Sequence, residues 1–319
     1  MNTKVVYVLA CGPEDCYFEQ FLLSLHSLKS HDPGCEVEVV LDPESYGEVL
    51  RWDEPLLEGI RLTQAAVPPG YDGLRKSRYL KTRLRSLVDG DYLYIDTDTL
   101  ISAPLADIDG VDADLAAVSN ENGLPRLTGG KLLAQCIQAG FPNLKNAPFY
   151  NGGVFFVRDS DVSRRFYDCW HKRWLQSLEN GVPYDQPALC QANLDTGRPI
   201  RELSGGWNCQ ICSAVGPHYF KDAKVIHYYG SVSWLPENII LPHVKKTGEL
   251  DPVADEIARD PKGRGIAYYH PSHFGKLKLL FSHLLFRLTK CPPAFLFIQN
   301  LAILLGRPAA WIRKRLNEK

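Results

Sequence analysis

The sequence predicts an α/β fold in which helices cover both faces of a sheet. Short apolar runs rich in valine, isoleucine and tyrosine alternate with longer segments whose apolar residues recur at helical spacing. Such alternation favours a sheet wound by crossover helices. The 319 residues include 45% hydrophobic and 23% charged residues, which is ordinary for a globular protein and argues against disorder. Stretches of about 18 apolar residues are absent, so a polytopic membrane protein is not expected.

The predicted strands are short, apolar and rich in β-branched or aromatic residues. They comprise residues 5–10, 36–41, 92–95, 115–118, 154–157 and 224–229. The predicted helices comprise residues 18–29, 79–88 and 163–180. In the last of these helices, Phe166, Trp170 and Trp174 recur at helical spacing and should face the sheet.

The first candidate site lies at the end of the predicted strand at residues 92–95. Asp96 and Asp98 follow this strand directly, and ligands in α/β sheets bind outside the carboxyl ends of the strands. Asp-x-Asp alone is a weak signal, because four other pairs occur in segments typical of solvated turns. These pairs are Asp89/Asp91, Asp107/Asp109, Asp112/Asp114 and Asp159/Asp161. The pair at Asp96 differs because the strand before it is too apolar for a surface loop.

The two aspartates are predicted to bind a metal ion. Carboxylates at the end of a buried strand repel each other and lose hydration, so Asp96 and Asp98 need a cation. Side chains two residues apart in an extended chain point the same way and can share one ion, and oxygen ligands favour Mg²⁺ or Mn²⁺. His227, in the last predicted strand, is a candidate third ligand that would shift the preference towards Mn²⁺. A structural turn and a core histidine are the alternative interpretations.

Five sequence blocks resemble the motifs of one enzyme family. The first combines residues 79–81 (YLK) with 91–100 (DYLYIDTDTL), and the others are 150–154 (YNGGV), 185–189 (DQPAL), 207–208 (WN) and 226–230 (IHYYG). They resemble, in the same order, the motifs of family 8 of the retaining glycosyltransferases. That family includes glycogenin and the bacterial lipopolysaccharide galactosyl- and glucosyltransferases. The resemblance covers about residues 4–236.

The resemblance implies a GT-A catalytic domain over residues 1–236, with a Rossmann-like mixed sheet and helices on both faces. It implies a nucleoside-diphosphate sugar donor, usually UDP-linked, and Mn²⁺ or Mg²⁺ bound by Asp96, Asp98 and His227. Gln186 and Asp185 take the catalytic positions, with Gln186 at the face of the anomeric carbon. The donor-binding positions are occupied by Tyr17, Lys81, Asp96, Thr97, Asn120, Asn151, Gly152, Gly230 and Ser233.

Departures from the family pattern leave the donor open. Asn120 stands where the family has an aspartate, Ser233 where it has a lysine for the diphosphate, and Cys190 where it has an asparagine. An insertion around residues 12–14 displaces the acidic start of the nucleotide loop, although Tyr17 still matches the aromatic residue that stacks on uracil. Less positive charge would therefore face the diphosphate than in the family.

The implied reaction transfers a hexose, with retention, to a glycan or glycolipid acceptor of the lipopolysaccharide or capsule type. A metal ion would neutralise charge that develops on the leaving diphosphate. The amide of Gln186 is a poor nucleophile, which favours front-face transfer with the leaving phosphate taking the acceptor proton. Structural alternatives remain: Asp185 as a helix N-cap, Asn151 as a strand-end turn residue, and Lys81 on a solvated basic face.

The carboxyl-terminal segment, residues 276–319, is apolar and strongly basic. It holds nine lysines and arginines against one acid, whereas the whole chain has a net charge of −1. Its apolar stretch at 294–305 is too short to span a bilayer, so the pattern favours a helical amphipathic tail on an anionic membrane surface. A helical cap or an oligomer contact is the alternative. Residues 237–275 are predicted to be an inserted loop region near the acceptor site.

The cellular location is predicted from the amino terminus and the cysteines. The start of the chain lacks the basic leader and long apolar core of a signal peptide, and the nine cysteines are scattered. Both favour a cytoplasmic protein, and the basic tail predicts that it is peripheral on the inner face of the cell membrane. Cys209 and Cys212 form a lone CxxC, for which packed or loop thiols are expected. The near-neutral charge argues against a nucleic-acid partner.

Three other functions fit parts of the sequence. Residues 95–99 match the motif of haloacid-dehalogenase-type phosphatases, in which Asp96 would be the nucleophile, with Mg²⁺, and Asp98 the acid/base. That motif normally opens a chain, whereas here it begins at Ile95. A nucleotidyltransferase would need a glycine-rich phosphate loop after the first strand, where residues 10–13 match poorly. A non-catalytic protein that keeps only the fold is the third alternative.

Overall fold

The structure is a computed structural model that describes residues 1–12, 15–51, 57–123, 130–211, 213, 215–228 and 252–262. Within these ranges strands and helices alternate along most of the chain. The α-helices are α1 (Cys16–His31), α2 (Pro43–Arg51), α3 (Gly73–Lys81), α4 (Leu84–Leu87), α5 (Gly130–Gln138), α6 (Asp161–Glu179), α7 (Gln186–Asp195) and α8 (Pro252–Arg259). The strands are β1 (Lys4–Leu9), β2 (Val37–Leu41), β3 (Arg61–Gln64), β4 (Tyr92–Ile95), β5 (Thr99–Ile101), β6 (Leu115–Ser119), β7 (Tyr150–Val157), β8 (Ile200–Glu202), β9 (Cys209–Gln210) and β10 (Val225–His227).

Two sheets organise the described strands. Seven strands form a mixed sheet in the order β3-β2-β1-β4-β7-β6-β8. Strands β3, β2, β1 and β4 run parallel to one another, and β7 lies antiparallel between β4 and β6. The smaller sheet has the order β5-β10-β9, with β5 antiparallel to β10. The mixed sheet and its helices confirm the predicted α/β architecture.

Strand β4 contributes to two hydrophobic cores, one on each face of the large sheet. Tyr92 and Tyr94 pack on one face, and Leu93 and Ile95 pack on the other, as the two-residue period of a strand requires. Helices α6 and α7 cover the first face, and α1 covers the second. The continuous apolar run that predicted this strand therefore reflects burial on both sides.

Helix α6 orients the loop that precedes α7. The indole N–H of Trp170 donates to the carbonyl of Asp185 at 3.1 Å, and that of Trp174 donates to the carbonyl of Pro183 at 3.0 Å. Both rings are fully buried, as their helical spacing predicted. Ser160 is the N-cap of a capping box, and the helix therefore begins slightly before the predicted start.

The single helix predicted over residues 79–88 is wrong. Helix α3 ends at Lys81, and α4 begins at Leu84. The Thr82 hydroxyl is shared between the carbonyls of Arg78 at 2.9 Å and Tyr79 at 3.2 Å, and the latter is the acceptor that the next helical turn would use. The local hydrogen bond thus favours a break that propensity alone does not reveal.

Several predicted features lie outside the described residues. These are the basic tail at 276–319, Gly230, Ser233, Cys212 and most of the region 237–275. Within that last region, α8 packs against α1, where His26 Nε2 and Asp255 Oδ1 lie 2.7 Å apart.

The described helices include none that is long and apolar enough to cross a bilayer. Cys136 and Cys190 are buried free thiols, and Cys209 is buried in β9, as expected for a packed thiol.

Candidate functional site

A cavity lies at the carboxyl ends of β1 and β4, where the sequence placed the candidate site. Four predicted site residues line it, namely Tyr17, Asp96, Thr97 and Asp98. The other walls come from the end of β1, the first turn of α1 and the inner side of α3. Tyr17 is 47% exposed, so its ring is accessible to a ligand.

Asp96, Asp98 and His227 form a cluster at the rim of this cavity. One ligand atom from each lies within 4.8 Å of the others. His227 Nε2 is 3.1 Å from Asp98 Oδ1 and 4.0 Å from Asp96 Oδ2. The pairing of β5 with β10 creates this proximity, because it sets His227 opposite Thr99. Two carboxylates and an imidazole at such distances suit one divalent cation.

A chain of buried amides orients the histidine. His227 Nδ1 donates to Asn208 Oδ1 at 2.9 Å. Asn208 Nδ2 donates to Asn151 Oδ1 at 3.0 Å, and the N–H of Gly153 donates to the same oxygen at 2.8 Å. Because Nδ1 carries the proton, Nε2 of the neutral ring keeps its lone pair for a metal ion. Asn151 therefore lies within a strand and takes part in this network, rather than in a strand-end turn.

Gly153 allows the ligands to approach one another. A Cβ at this position would lie 2.2 Å from His227 Cε1 and 2.8 Å from Asp96 Oδ2. Its carbonyl also accepts the N–H of Asp96 at 2.7 Å. At the neighbouring Gly152, by contrast, the nearest atom to an added Cβ is Leu189 Cδ2, at 3.4 Å. The second glycine of the YNGGV block is therefore the one that the metal cluster requires.

Two cations of α3 neutralise the carboxylates. Lys81 Nζ lies 3.0 Å from Asp96 Oδ1, 3.5 Å from Asp185 Oδ2 and 4.6 Å from the centre of the Tyr94 ring. Its side chain is only 3% exposed, so Lys81 does not lie on a solvated face. Arg78 Nε lies 2.9 Å from Asp185 Oδ1. Arg78 precedes Lys81 by three residues, and this spacing places both side chains on one face of the helix.

Neighbours of opposite charge stabilise the charged form of each side chain in the cluster. Burial disfavours the charge of Asp96, but Lys81 and Arg78 outweigh it and hold the pKa of the carboxyl below its usual value. Burial likewise disfavours the charge of Asp98, but His227 lowers the pKa of that carboxyl. Burial also opposes an imidazolium at His227, but attraction by Asp98 outweighs it and raises the pKa of the ring. The compensating cations expected from the sequence thus include side chains of the protein.

Gln186 and Asp185 lie at the start of α7. Gln186 Nε2 donates to Asn120 Oδ1 at 2.7 Å and to the carbonyl of Tyr150 at 3.1 Å, and this fixes the orientation of its amide. Its Oε1 makes no hydrogen bond to the described residues and is available to a ligand. Asp185 occupies the N-cap position, but its side chain makes no capping hydrogen bond and pairs with Arg78 and Lys81 instead.

A strained turn holds Asn120. Glu121 and Asn122 have φ values of 57° and 51°, in the left-handed region that residues other than glycine seldom adopt. Asn122 stabilises the turn, because its Nδ2 donates to the carbonyl of Asn208 at 2.9 Å and its Oδ1 accepts the N–H of Gln210 at 2.7 Å. One turn thereby positions both the partner of Gln186 and the partner of His227.

The aspartates of the four other Asp-x-Asp pairs are mostly more exposed than Asp96 and Asp98. Of the eight aspartates in the four other Asp-x-Asp pairs, seven are exposed and Asp114 is half-buried, as expected for solvated turns.

Asn208 belongs to a sequence block that resembled the family, but its contact with His227 could not be predicted from the sequence. Gly230 and Ser233 lie outside the described residues.

Comparisons with known proteins bear on the fold. Neither a protein-family model nor a curated protein matches the sequence. Mouse xyloside xylosyltransferase 1 is similar with a TM-score of 0.50 and 11% identity, over 72% of this chain and 98% of that one. The WbbM bifunctional glycosyltransferase is similar with a TM-score of 0.50 and 15% identity, over 81% of this chain and 52% of that one.

A third similar structure is the apo form of the glycosyltransferase GlyE from Streptococcus pneumoniae TIGR4. It has a TM-score of 0.50 and 17% identity, over 85% of this chain and 66% of that one. This protein therefore spans about half of the WbbM chain and two thirds of the GlyE chain. At these identities the likeness concerns the fold alone, and it agrees with the mixed sheet described above. The chain has the GT-A fold of glycosyltransferases, as the sequence predicted.

Proposed function

We propose that this protein is a metal-dependent retaining glycosyltransferase that moves a hexose from a UDP-sugar to a glycan or lipid-linked acceptor of the lipopolysaccharide or capsule type. The observation that carries the proposal is the cluster of Asp96, Asp98 and His227 at the rim of a cavity, on a fold shared with glycosyltransferases. Mn²⁺ suits this mixed set of oxygen and nitrogen ligands, and Mg²⁺ is the alternative.

The cavity supports a nucleotide donor. Tyr17 lines the same cavity as Thr97 and the two aspartates, and its exposed ring offers an aromatic face for a base. Because Asp96 and Asp98 also line this cavity, a diphosphate bound in it would lie near the metal cluster. Gln186 and Asn120 lie together at the start of α7, and Asp185 links that helix end to the cations beside the cluster.

The proposed reaction breaks the bond between the anomeric carbon and the diphosphate oxygen. A bond to the acceptor hydroxyl oxygen forms on the same face, and the acceptor proton passes to the leaving phosphate. A bound divalent ion would supply positive charge to the leaving diphosphate. The Oε1 atom of Gln186 is oriented by Asn120 and Tyr150, and it can stabilise positive charge that develops at the anomeric carbon.

The test measures release of nucleotide from UDP-, GDP-, ADP- and CMP-activated sugars with Mn²⁺. Wild type is compared with Asp96→Asn, Asp98→Asn and the matched control Asp89→Asn, which changes an exposed aspartate of another Asp-x-Asp pair. Slow release from one UDP-sugar that persists only in wild type and the control supports the proposal. Donor binding is followed by calorimetry in the same samples, since release can require the acceptor.

The phosphatase alternative is decided by the same proteins. Wild type that binds none of these donors with Mn²⁺, but hydrolyses p-nitrophenyl phosphate with Mg²⁺, would replace the transferase by a phosphatase. In that case Asp96→Asn removes the nucleophile and abolishes the hydrolysis.

We further propose that the basic tail binds an anionic membrane surface, with the protein in the cytoplasm. The proposal is supported by the sequence of residues 276–319, in which basic side chains interrupt apolar stretches. Flotation of the full chain with phosphatidylglycerol vesicles, but not with phosphatidylcholine vesicles, is expected. Replacement of Arg313, Lys314 and Arg315 by glutamine should weaken it, because each basic residue near the surface contributes about 1 kcal/mol.

A further inference from the structure

Arg78 is the one cationic side chain among the described residues that line the cavity. It lies there beside Ser77, Asp96 and Asp98. Its side chain is 26% exposed, whereas that of Lys81 on the same helix face is 3% exposed. Of the two cations of α3 that lie beside the carboxylates, Arg78 is therefore the one that a ligand in the cavity can reach.

The ammonium group of Lys81 already makes its contacts with other groups of the protein. It pairs with Asp96 and Asp185 and lies over the ring of Tyr94. To bind a ligand it would have to leave two carboxylates within a nearly buried environment, which is unfavourable. The neutralising role of Lys81 is therefore structural, within the cluster itself.

The guanidinium of Arg78 has more N–H donors than its contacts with Asp185 and Ser77 use. Its Nε lies against Asp185 Oδ1 at 2.9 Å, but without the alignment of a hydrogen bond, and its Nη1 donates to Ser77 Oγ at 3.1 Å. A guanidinium carries five N–H donors in a planar fork that matches the oxygens of a phosphate. The donors that remain can bind a ligand while the contact with Asp185 holds the side chain in place.

The net charge of the site also favours a role for the positive charge of Arg78. Asp96, Asp98 and Asp185 place three carboxylates beside two cations. One divalent ion would leave this group with a single net positive charge, which attracts a diphosphate. Without Arg78 the same group would be neutral and would give little attraction.

We propose that the guanidinium of Arg78 binds the diphosphate of the nucleotide donor through its phosphate oxygens. The assignment rests on the proposed function and adds a donor-binding residue to it. Arg78 thereby provides positive charge that the chain lacks at Ser233, where the sequence has no basic residue.

The test separates the diphosphate from the rest of the nucleotide. Calorimetry with Mn²⁺ measures UDP, GDP, ADP and CDP, and saturation-transfer NMR measures the corresponding nucleosides. The proteins are wild type, Arg78→Gln, Arg78→Lys and the control Arg75→Gln, which changes an arginine of α3 whose side chain is 42% exposed and pairs with Asp72. Arg78→Gln should weaken the nucleoside diphosphate that wild type binds by about 10- to 100-fold, and leave its nucleoside unaffected.

Arg78→Lys should give a smaller loss, confined to the diphosphate, and Arg75→Gln should give none. If Arg78→Gln fails to fold, the lysine variant decides by the same comparison. Unchanged binding of the diphosphate, or an equal loss for diphosphate and nucleoside, would overturn the assignment and leave the proposed function intact. Wild type that binds no nucleoside diphosphate with Mn²⁺ would overturn both.

Discussion

His227 Nδ1 lies 2.9 Å from Asn208 Oδ1, and this contact directs Nε2 of the ring towards Asp96 and Asp98. Asn208 is itself fixed, because its Nδ2 donates to Asn151 Oδ1 at 3.0 Å. The tautomer of the imidazole is thus set by the protein before any ion binds. The candidate metal site depends in this way on an amide that is not a ligand.

Removal of that amide should weaken metal binding without removing a ligand. In Asn208→Ala the ring of His227 loses its partner, and we expect Mn²⁺ affinity to fall by about 10- to 100-fold. Titration of Mn²⁺ followed by electron paramagnetic resonance measures the change. Asn143→Ala, which changes an exposed asparagine, is the control. Equal affinities for wild type and Asn208→Ala would show that the hydrogen bond does not orient the ligand.

The paired glycines of β7 should respond differently to a methyl group. Gly153→Ala places Cβ within 2.2 Å of His227 Cε1, so the ring must move away from the aspartates. We expect this variant to lose Mn²⁺ binding. Gly152→Ala, whose Cβ meets no atom closer than 3.4 Å, should retain Mn²⁺ affinity. Both are measured by calorimetry after the fold is checked by circular dichroism, and similar affinities would contradict the steric explanation.

The amide of Gln186 should be required for stability as well as for transfer. In Gln186→Glu an oxygen replaces Nε2 and faces two acceptors, Asn120 Oδ1 and the carbonyl of Tyr150. We expect the free energy of unfolding to fall by about 2 kcal/mol, with Mn²⁺ affinity unchanged. Urea unfolding measures the change. Asn120→Asp keeps an acceptor for Gln186 and should unfold nearly as wild type does; a larger loss there would place the constraint elsewhere.

The decrease in the free energy of unfolding at acid pH should depend on His171. Burial, with the nearby charge of Arg83, lowers the pKa of this ring from 6.5 to about 4. The unfolded chain therefore binds more protons between these values, so the contribution of the ring is complete above pH 6.5 and is lost as the pH falls towards 4. In His171→Gln the free energy of unfolding should decline less over this range. Parallel pH profiles for wild type and variant would refute the assignment.

The sequence predicted those elements whose side chains are buried on both faces. Residues 92–95 form a strand with the predicted bounds, because a fully buried strand reads as a continuous apolar run. The edge strand β3, with the sequence RLTQ, has no such run, since its side chains are exposed or half-buried. It is a strand because its backbone pairs with β2, and pairing between segments leaves little trace in the sequence.

The candidate site shows the same division. The context of Asp96 and Asp98 predicted a cluster that the structure brings together with His227. Asp185 was correctly expected at the start of a helix, but its side chain pairs with Arg78, more than 100 residues away, instead of capping the helix. Such a contact follows from the tertiary fold, so Arg78 could not be distinguished from the surface cations beside it.

The ligands of the candidate ion are divided between the two sheets. Asp96 continues β4 of the large sheet, and its N–H bonds to Gly153 of β7. Asp98 and His227 belong with the small sheet, where the N–H of Tyr228 donates to the carbonyl of Asp98 at 2.9 Å. A bound ion would therefore cross-link the sheets and oppose their separation. The affinity for the ion would therefore depend on the relative position of the two sheets. A substitution that shifts one sheet against the other would alter the affinity even if it touches no ligand.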